Sequence, residues 1–335
     1  MSSFTSSAQE IIATPATPRR GIIGLYAELT KARLSALVLL TTAVGFVMGK
    51  PDSVEWPRLG WTVLGTALAA GCASALNQIL EIRLDKRMHR TRRRPLPSGS
   101  MSVAHSFFAA MSMGVGGLSI LAMQVNLSSA WLALATILIY VLIYTPLKVR
   151  SSLNTLVGAV CGAIPPMIGW TAATGSLDRG AWILGIILFV WQIPHFLALA
   201  WLYREDYARG GFAMLPVIDR HGHMTCRIIL LTSLLLVPVG ATVTLLNVAG
   251  YFYAIGSALL GLWIAGLSVR LHSSRSDAHA RGVFLASITY LPILMCLMVL
   301  DRGPVRGGHI RQVPVASTSN SEAIEVIHTA ALSTP

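Results

Sequence analysis

Three oxygen-bearing side chains, Asn77, Glu81 and Asp85, are spaced four residues apart at the end of an apolar run. At 3.6 residues per helical turn, this spacing places an amide and two carboxylates in one stripe. The two carboxylates repel each other, so a positive group should compensate them. Mg²⁺ fits, because it takes oxygen ligands and usually bridges one or two carboxylates to a substrate phosphate. A carboxylate pair salt-bridged to the next loop is the open alternative.

A strongly basic segment surrounds and follows Asp85, with more positive charge than membrane topology requires. Its arginines and lysines are suited to holding phosphate oxygens. The residues are Arg83, Lys86, Arg87, Arg90, Arg92, Arg93 and Arg94.

A second polar cluster spans residues 191–211. His195 follows Pro194 and is the only histidine predicted to lie well inside an apolar helix, which we expect to be kinked or broken there. A histidine in a membrane helix suggests function, although a packing histidine is the open alternative. Asp206 is a second candidate metal ligand, or else a surface acid paired with Arg204 or Arg209.

A third polar stretch spans residues 144–154, where Lys148 and Arg150 are either phosphate ligands or topology determinants. The apolar run that follows is rich in residues that permit close helix approach or a break that lines a cavity. These are Gly158, Gly162, Pro165, Pro166 and Gly169.

The elements that position these clusters are predicted to be membrane helices. The chain has 335 residues, of which 54% are hydrophobic and 12% charged, and its mean hydropathy is +0.64. Soluble domains carry about twice that charged fraction. Apolar windows long enough to cross a bilayer recur nine times, at 30–51, 60–80, 103–123, 129–147, 153–174, 181–202, 227–247, 250–270 and 282–300.

The net charge of +12 is distributed in a way that favours membrane topology over nucleic-acid binding. Twenty of the 26 lysines and arginines fall on the side of the N-terminus, which the positive-inside rule places in the cytoplasm. All three polar clusters face that side. We expect residues 1–20 and 302–335 to be flexible tails around a nine-helix domain over residues 21–301.

The sequence disfavours several other kinds of site. The four cysteines are far apart and form no C-x-x-C pair, which disfavours a zinc site or a covalent heme attachment. The sequence has no nucleotide-binding, zincin or serine-hydrolase motif.

The segment 77–96 resembles the first acidic motif of the intramembrane UbiA-type prenyltransferases. Its continuation D-x-x-M-x-R-T-x-x-R-P-L, from Asp85 to Leu96, resembles the branch that makes heme O. Similarity to this branch extends over roughly residues 25–300. It includes 144–148 with 162–170 and 191–196 with 206–216.

This resemblance implies an all-α bundle of nine transmembrane helices, and transfer of the farnesyl group of farnesyl diphosphate to heme B. It implies Mg²⁺ held by Asn77, Glu81, Asp85 and Asp206. The diphosphate would be bound by Lys86, Arg90, Arg94, Lys148, Arg150 and Arg209. The heme candidates are His195, Tyr144, Tyr203 and Arg204. The N-terminal segment of 20 residues is short and contains Glu10, which is a poor mitochondrial transit pattern, so we expect a bacterial inner membrane. The resemblance implies an active site toward the cytoplasm, with heme A synthase as a candidate partner.

Two features depart from the family pattern. Glu81 stands where the family usually has Asp, which lengthens the side chain by one methylene. Asp206 is followed four residues later by Gly210, so the second acidic motif is incomplete, as it also is in the heme branch. The alternatives are a related prenyltransferase with a quinone precursor or chlorophyllide as acceptor, and a membrane transporter.

Overall fold

The computed structural model describes residues 21–50 and 53–303. The predicted tails, 1–20 and 302–335, lie outside these residues except for Arg302 and Gly303. The described part of the chain is helical, with one isolated β-bridge between Ala249 and Arg302. Its helices are α1 Ile22–Leu29, α2 Ala32–Gly49, α3 Trp56–Asp85, α4 Val103–Val125, α5 Leu127–Leu147, α6 Asn154–Thr174, α7 Arg179–Leu202, α8 Arg204–Gly210, α9 Leu215–Ile218, α10 His223–Leu245, α11 Tyr251–Ser274 and α12 Asp277–Leu300.

Nine of these helices in the described residues are long and apolar enough to cross a bilayer, which confirms the predicted number. The largest differences from the predicted bounds lie at two polar helix ends. Helix α3 runs to Asp85 and α12 begins at Asp277, five residues beyond the nearest predicted bound in each case. Apolar windows end where polar residues begin, whereas a helix continues until its backbone hydrogen bonding stops.

A short helix that was not predicted, α1, precedes the first predicted span. Helix α1 ends at Leu29, and Lys31 adopts a left-handed conformation with φ of 52° before α2 begins. A non-glycine residue in this region is strained and persists only where its surroundings hold it. The break turns Lys31 into the interior, where its amine meets α3.

Helices α6 and α7 are the most buried spans and pack against each other. Helix α6 also contacts α2, α3 and α5, while α7 contacts α10 and α12. Small residues permit the closest approach: a Cβ added at Gly169 of α6 would collide with the Thr42 carbonyl oxygen of α2. These contacts between α2 and α6 close one wall of the central cavity.

The predicted break at Pro194 is wrong in that α7 is helical throughout, from Arg179 to Leu202. Helix α6 likewise continues through Pro165 and Pro166. A proline removes one backbone hydrogen bond, and the packing of these two largely buried helices against their neighbours compensates this loss.

Candidate active site

The predicted stripe lies within the last nine residues of α3 and is buried. Asn77 and Asp85 are 0% exposed and Glu81 is 3% exposed. Glu81 and Asp85 line a cavity, whereas Asn77 lies behind it. The Asn77 amide nitrogen donates to Thr145 Oγ1 at 3.0 Å. The helix thus presents two acids to the cavity and keeps the amide as their support.

Each carboxylate of the stripe has a cation beside it. Lys148 Nζ lies 2.8 Å from Glu81 Oε1, and Arg94 donates to Asp85 Oδ2 at 2.8 Å. Of these two cations, only Arg94 belongs to the basic segment after α3. The alternative of a carboxylate pair salt-bridged to the next loop therefore accounts for Asp85 but not for Glu81. The second oxygen of Asp85, Oδ1, is buried and accepts no hydrogen bond from the described residues. A buried carboxylate oxygen without a donor is costly unless a further positive group reaches it.

Lys148 lies just beyond the end of α5 and is 8% exposed. Its ammonium also lies over the Tyr144 ring, 4.5 Å from the centroid. Burial alone would lower the pKa of Lys148, but the oxygens of Tyr144 and Glu81 outweigh burial and raise that pKa above its ordinary value. Lys148 is therefore a fixed positive charge at the cavity wall.

Lys31 is a site residue that the sequence did not reveal. Its Nζ donates to Asn77 Oδ1 at 2.7 Å and to the Tyr140 hydroxyl at 3.4 Å. Burial lowers the pKa of Lys31, and the nearby charges of Lys148 and Arg94 lower it further. In the sequence this lysine is indistinguishable from a topology determinant, because its partner Asn77 is 46 residues away.

Two tyrosines of the cavity wall come from a π-helical segment, Ile139–Tyr144, within α5. The wider turn places the rings of Tyr140 and Tyr144 5.0 Å apart, and both line the cavity. Such segments frequently occur at functional sites.

The cavity has a volume of about 400 Å³, with a polar end and an apolar interior. Its polar end carries Glu81 and Asp85 with four cations, namely Lys31, Arg90, Arg94 and Lys148. Its interior is mainly apolar and aromatic, and it includes Val38, Leu188, Trp191, His195, Phe196 and Leu291. This shape suits a molecule with a charged head and a long apolar body.

Asp206, in α8, is placed apart from the other acids. Its Oδ1 accepts from the His89 backbone N–H at 2.9 Å and from Arg209 at 2.8 Å, and its Oδ2 accepts from the Arg90 N–H at 3.4 Å. Burial alone would raise the pKa of Asp206, but these hydrogen bonds hold it below its ordinary value. Asp206 thereby fixes the basic segment that carries Arg90.

We expect Asp206→Asn to loosen that segment. Hydrogen bonds to a charged acceptor stabilise by about 1.5–3 kcal/mol, so amide exchange at His89 and Arg90 should accelerate roughly 10-fold or more. Because the pKa of Asp206 is lowered, the contact persists above that pKa and is lost as the pH falls through it. Hydrogen-exchange mass spectrometry of the protein in detergent measures the change.

Glu205→Gln is the matched control, since the neighbouring Glu205 side chain is exposed. Unchanged exchange at His89 and Arg90 in Asp206→Asn would contradict this role.

The remaining predicted residues lie outside the cavity. Lys86 and Arg150 are exposed. Asp206 and Arg209 border a second, polar depression of about 540 Å³ together with Tyr203 and Arg204, and Arg90 reaches both spaces. Arg204 pairs with Asp277 at 2.7 Å. Among the described residues no three His, Cys, Asp or Glu side chains converge on one metal position.

The chain matches the model of the UbiA prenyltransferase family over residues 38–288. Protoheme IX farnesyltransferase of Solibacter usitatus (strain Ellin6076) is 42% identical over 286 residues, which cover 83% of this chain and 98% of that protein. The mitochondrial protoheme IX farnesyltransferase of Homo sapiens is 41% identical over 285 residues, covering 85% of this chain and 64% of that protein.

Solved structures share the fold. A UbiA homologue from Aeropyrum pernix K1 superposes with a TM-score of 0.65 at 14% identity, covering 80% of this chain and 97% of that one. A UbiA homologue from Archaeoglobus fulgidus bound to DMAPP and Mg²⁺ superposes with a TM-score of 0.59 at 16% identity. The match covers 82% of this chain and 98% of that one. The chain therefore belongs to the UbiA prenyltransferase family, within its group of protoheme IX farnesyltransferases.

Proposed function

We propose that the protein transfers the farnesyl group of farnesyl diphosphate to a vinyl group of heme B, with addition of water, and releases heme O and diphosphate. The observation that carries the proposal is the 42% identity to a protoheme IX farnesyltransferase along 98% of that relative's length. The cavity supports it, because its cationic end and apolar interior match the two parts of a prenyl diphosphate.

The cavity wall supplies the groups that would bind the donor. Lys31, Arg90, Arg94 and Lys148 would hold the diphosphate oxygens, and the farnesyl chain would lie along the apolar interior. As the C–O bond to diphosphate breaks, negative charge grows on the leaving group, and fixed cations stabilise that charge without reorganising. Lys86, Arg150 and Arg209 lie outside the cavity, so we assign them at most an indirect role.

Glu81 and Asp85 fit a divalent cation, which we propose to be Mg²⁺. The supporting observation is the buried Asp85 Oδ1, which lacks a donor among the described residues. Two carboxylates suffice, because Mg²⁺ completes its coordination with waters and substrate phosphates. When bound, Mg²⁺ would neutralise charge on the departing diphosphate. Asn77 supports the pair, and Asp206 has its role in holding the basic segment instead.

The apolar interior determines which nucleophile reacts. Departure of diphosphate leaves an allylic cation, which water would capture prematurely in an open site. In the proposed reaction the vinyl group forms the new C–C bond, the positive charge moves to the vinyl carbon next to the porphyrin, and water then adds there with loss of a proton. Trp191, Phe196 and Leu188 line the space where the cation would be shielded.

We further propose that the protein resides in a bacterial inner membrane with the active site toward the cytoplasm. The family and the nine apolar helices indicate a multi-pass membrane protein. The excess of Lys and Arg supports a cytoplasmic N-terminus. Transfer of the product to a heme A synthase is the corresponding partner prediction.

An acceptor competition tests the proposal. The purified protein in detergent receives tritiated farnesyl diphosphate, Mg²⁺, heme B and an aromatic quinone precursor together. We expect the label on the porphyrin, with little on the aromatic compound. Label only on the aromatic compound would favour the related prenyltransferase, and unconsumed farnesyl diphosphate would favour a transporter.

A further inference from the structure

His195 is held in a fixed orientation on the wall of the cavity. Its ring stacks on Trp191, with centroids 5.1 Å apart and planes at 18°, and on Phe284, at 5.1 Å and 27°. Ser287 of α12 holds both α7 residues: its hydroxyl lies 2.8 Å from His195 Nδ1, and its carbonyl oxygen accepts from Trp191 Nε1 at 2.9 Å. The ring therefore has little freedom to rotate.

The hydrogen bonds of Ser287 decide which ring nitrogen carries the proton. The Ser287 hydroxyl donates to the Phe284 carbonyl oxygen at 2.6 Å, and a hydroxyl has a single proton to donate. It must then accept from His195, so Nδ1 is protonated. In a neutral imidazole Nε2 is left with a free lone pair.

That lone pair has no hydrogen bond from the described residues, and His195 lines the cavity. A histidine that has its Nδ1–H bound by a neighbour and its Nε2 free is arranged as a metal ligand, since the second hydrogen bond fixes the tautomer and the ring direction. The acceptor proposed above carries an iron at its centre.

We propose that Ser287 is a positioning residue that fixes His195 as the Nδ1–H tautomer, and that His195 Nε2 ligates the iron of the porphyrin acceptor. This inference rests on the proposed function for the identity of the acceptor. The ligation would fix the distance of the porphyrin from the polar end of the cavity and thereby select which part of its edge meets the farnesyl cation.

The test measures porphyrin binding to the full-length protein in detergent without farnesyl diphosphate. Ferric protoporphyrin IX and metal-free protoporphyrin IX are titrated separately, and the iron–histidine stretching band is recorded by resonance Raman spectroscopy after reduction. The variants are His195→Ala, Ser287→Ala and Ser287→Thr. Ser233→Ala is the matched control, because it also removes a buried interhelical hydroxyl contact, the one with Ser268 at 2.9 Å.

We expect Ser287→Ala to shift the iron–histidine band and to weaken ferric porphyrin binding roughly 10-fold, the lower end of the usual cost of losing a residue that orients a metal ligand. His195→Ala should abolish the band and weaken ferric binding more strongly, with unchanged affinity for the metal-free porphyrin. Ser287→Thr keeps a hydroxyl, so its iron–histidine band and its affinity for ferric porphyrin should match those of the parent protein. Ser233→Ala should also behave as the parent protein.

An unchanged band in His195→Ala would overturn the ligation, and an unchanged band in Ser287→Ala would overturn the positioning role. Equal losses of affinity for both porphyrins would assign these residues to packing and also overturn the inference. Failure of the proposed function is distinguishable: the band would depend on His195 and Ser287 while no farnesyl group reached the porphyrin.

Discussion

Asp85→Asn is expected to lower the rate of farnesyl transfer roughly 10²- to 10³-fold, the usual cost of losing one preorganised group that stabilises transition-state charge. The substitution removes a buried negative charge. Because Arg94 donates to the Oδ2 position, the amide oxygen should stay there, and an NH₂ group then replaces the oxygen Oδ1 that we assign to the divalent cation. Saturating the activity of this variant should require a higher Mg²⁺ concentration than the parent protein needs. Product formation at a series of Mg²⁺ concentrations measures both effects.

Asp277→Asn is the matched control for Asp85→Asn. Asp277 also pairs with an arginine, Arg204, but at the surface, where such pairs contribute about 0–1 kcal/mol. The activity of Asp277→Asn should stay within twofold of that of the parent protein. Full activity of Asp85→Asn with unchanged Mg²⁺ dependence would remove Asp85 from the proposed site.

Lys148→Gln is expected to reduce transfer by at least roughly 10²-fold and also to destabilise the fold. The substitution leaves the Glu81 carboxylate buried without its ion-pair partner, which costs about 3–5 kcal/mol. It also removes one of the cations that face the diphosphate. Thermal unfolding in detergent measures the loss of stability, and the rate of product formation measures the loss of transfer.

The double variant Glu81→Gln/Lys148→Gln isolates the effect of Lys148 on stability. Because it removes both charges, much of the lost stability should return, whereas turnover should stay low. Arg150→Gln, two residues further on and exposed, should change turnover less than threefold. Recovery of turnover together with stability in the double variant would show that neither Lys148 nor Glu81 contributes to the chemistry, and that their pair acts only through folding.

The sequence predicts the local features of this molecule well. Hydropathy predicts the nine spans, since each span depends only on its own composition. The four-residue spacing of Asn77, Glu81 and Asp85 predicts one stripe of side chains facing a common cavity. All three lie on the last turns of α3, but only Glu81 and Asp85 line the cavity.

The partners of these residues could not be predicted, because they depend on how distant helices pack. Lys148 and Arg150 look alike in the sequence, yet only Lys148 lines the cavity and pairs with Glu81. Asp206 meets the His89 backbone across 117 residues of chain. The tautomer of His195 is set by Ser287, a serine that no motif distinguishes.

Mass spectrometry of the porphyrins after incubation with heme B and farnesyl diphosphate tests the central claim most directly. The parent protein is compared with and without EDTA, beside Asp85→Asn. The predicted result is a mass gain of one farnesyl group plus one water, which EDTA abolishes and Asp85→Asn nearly abolishes. An unmodified porphyrin in the presence of Mg²⁺, or an undiminished mass gain in EDTA, would contradict it.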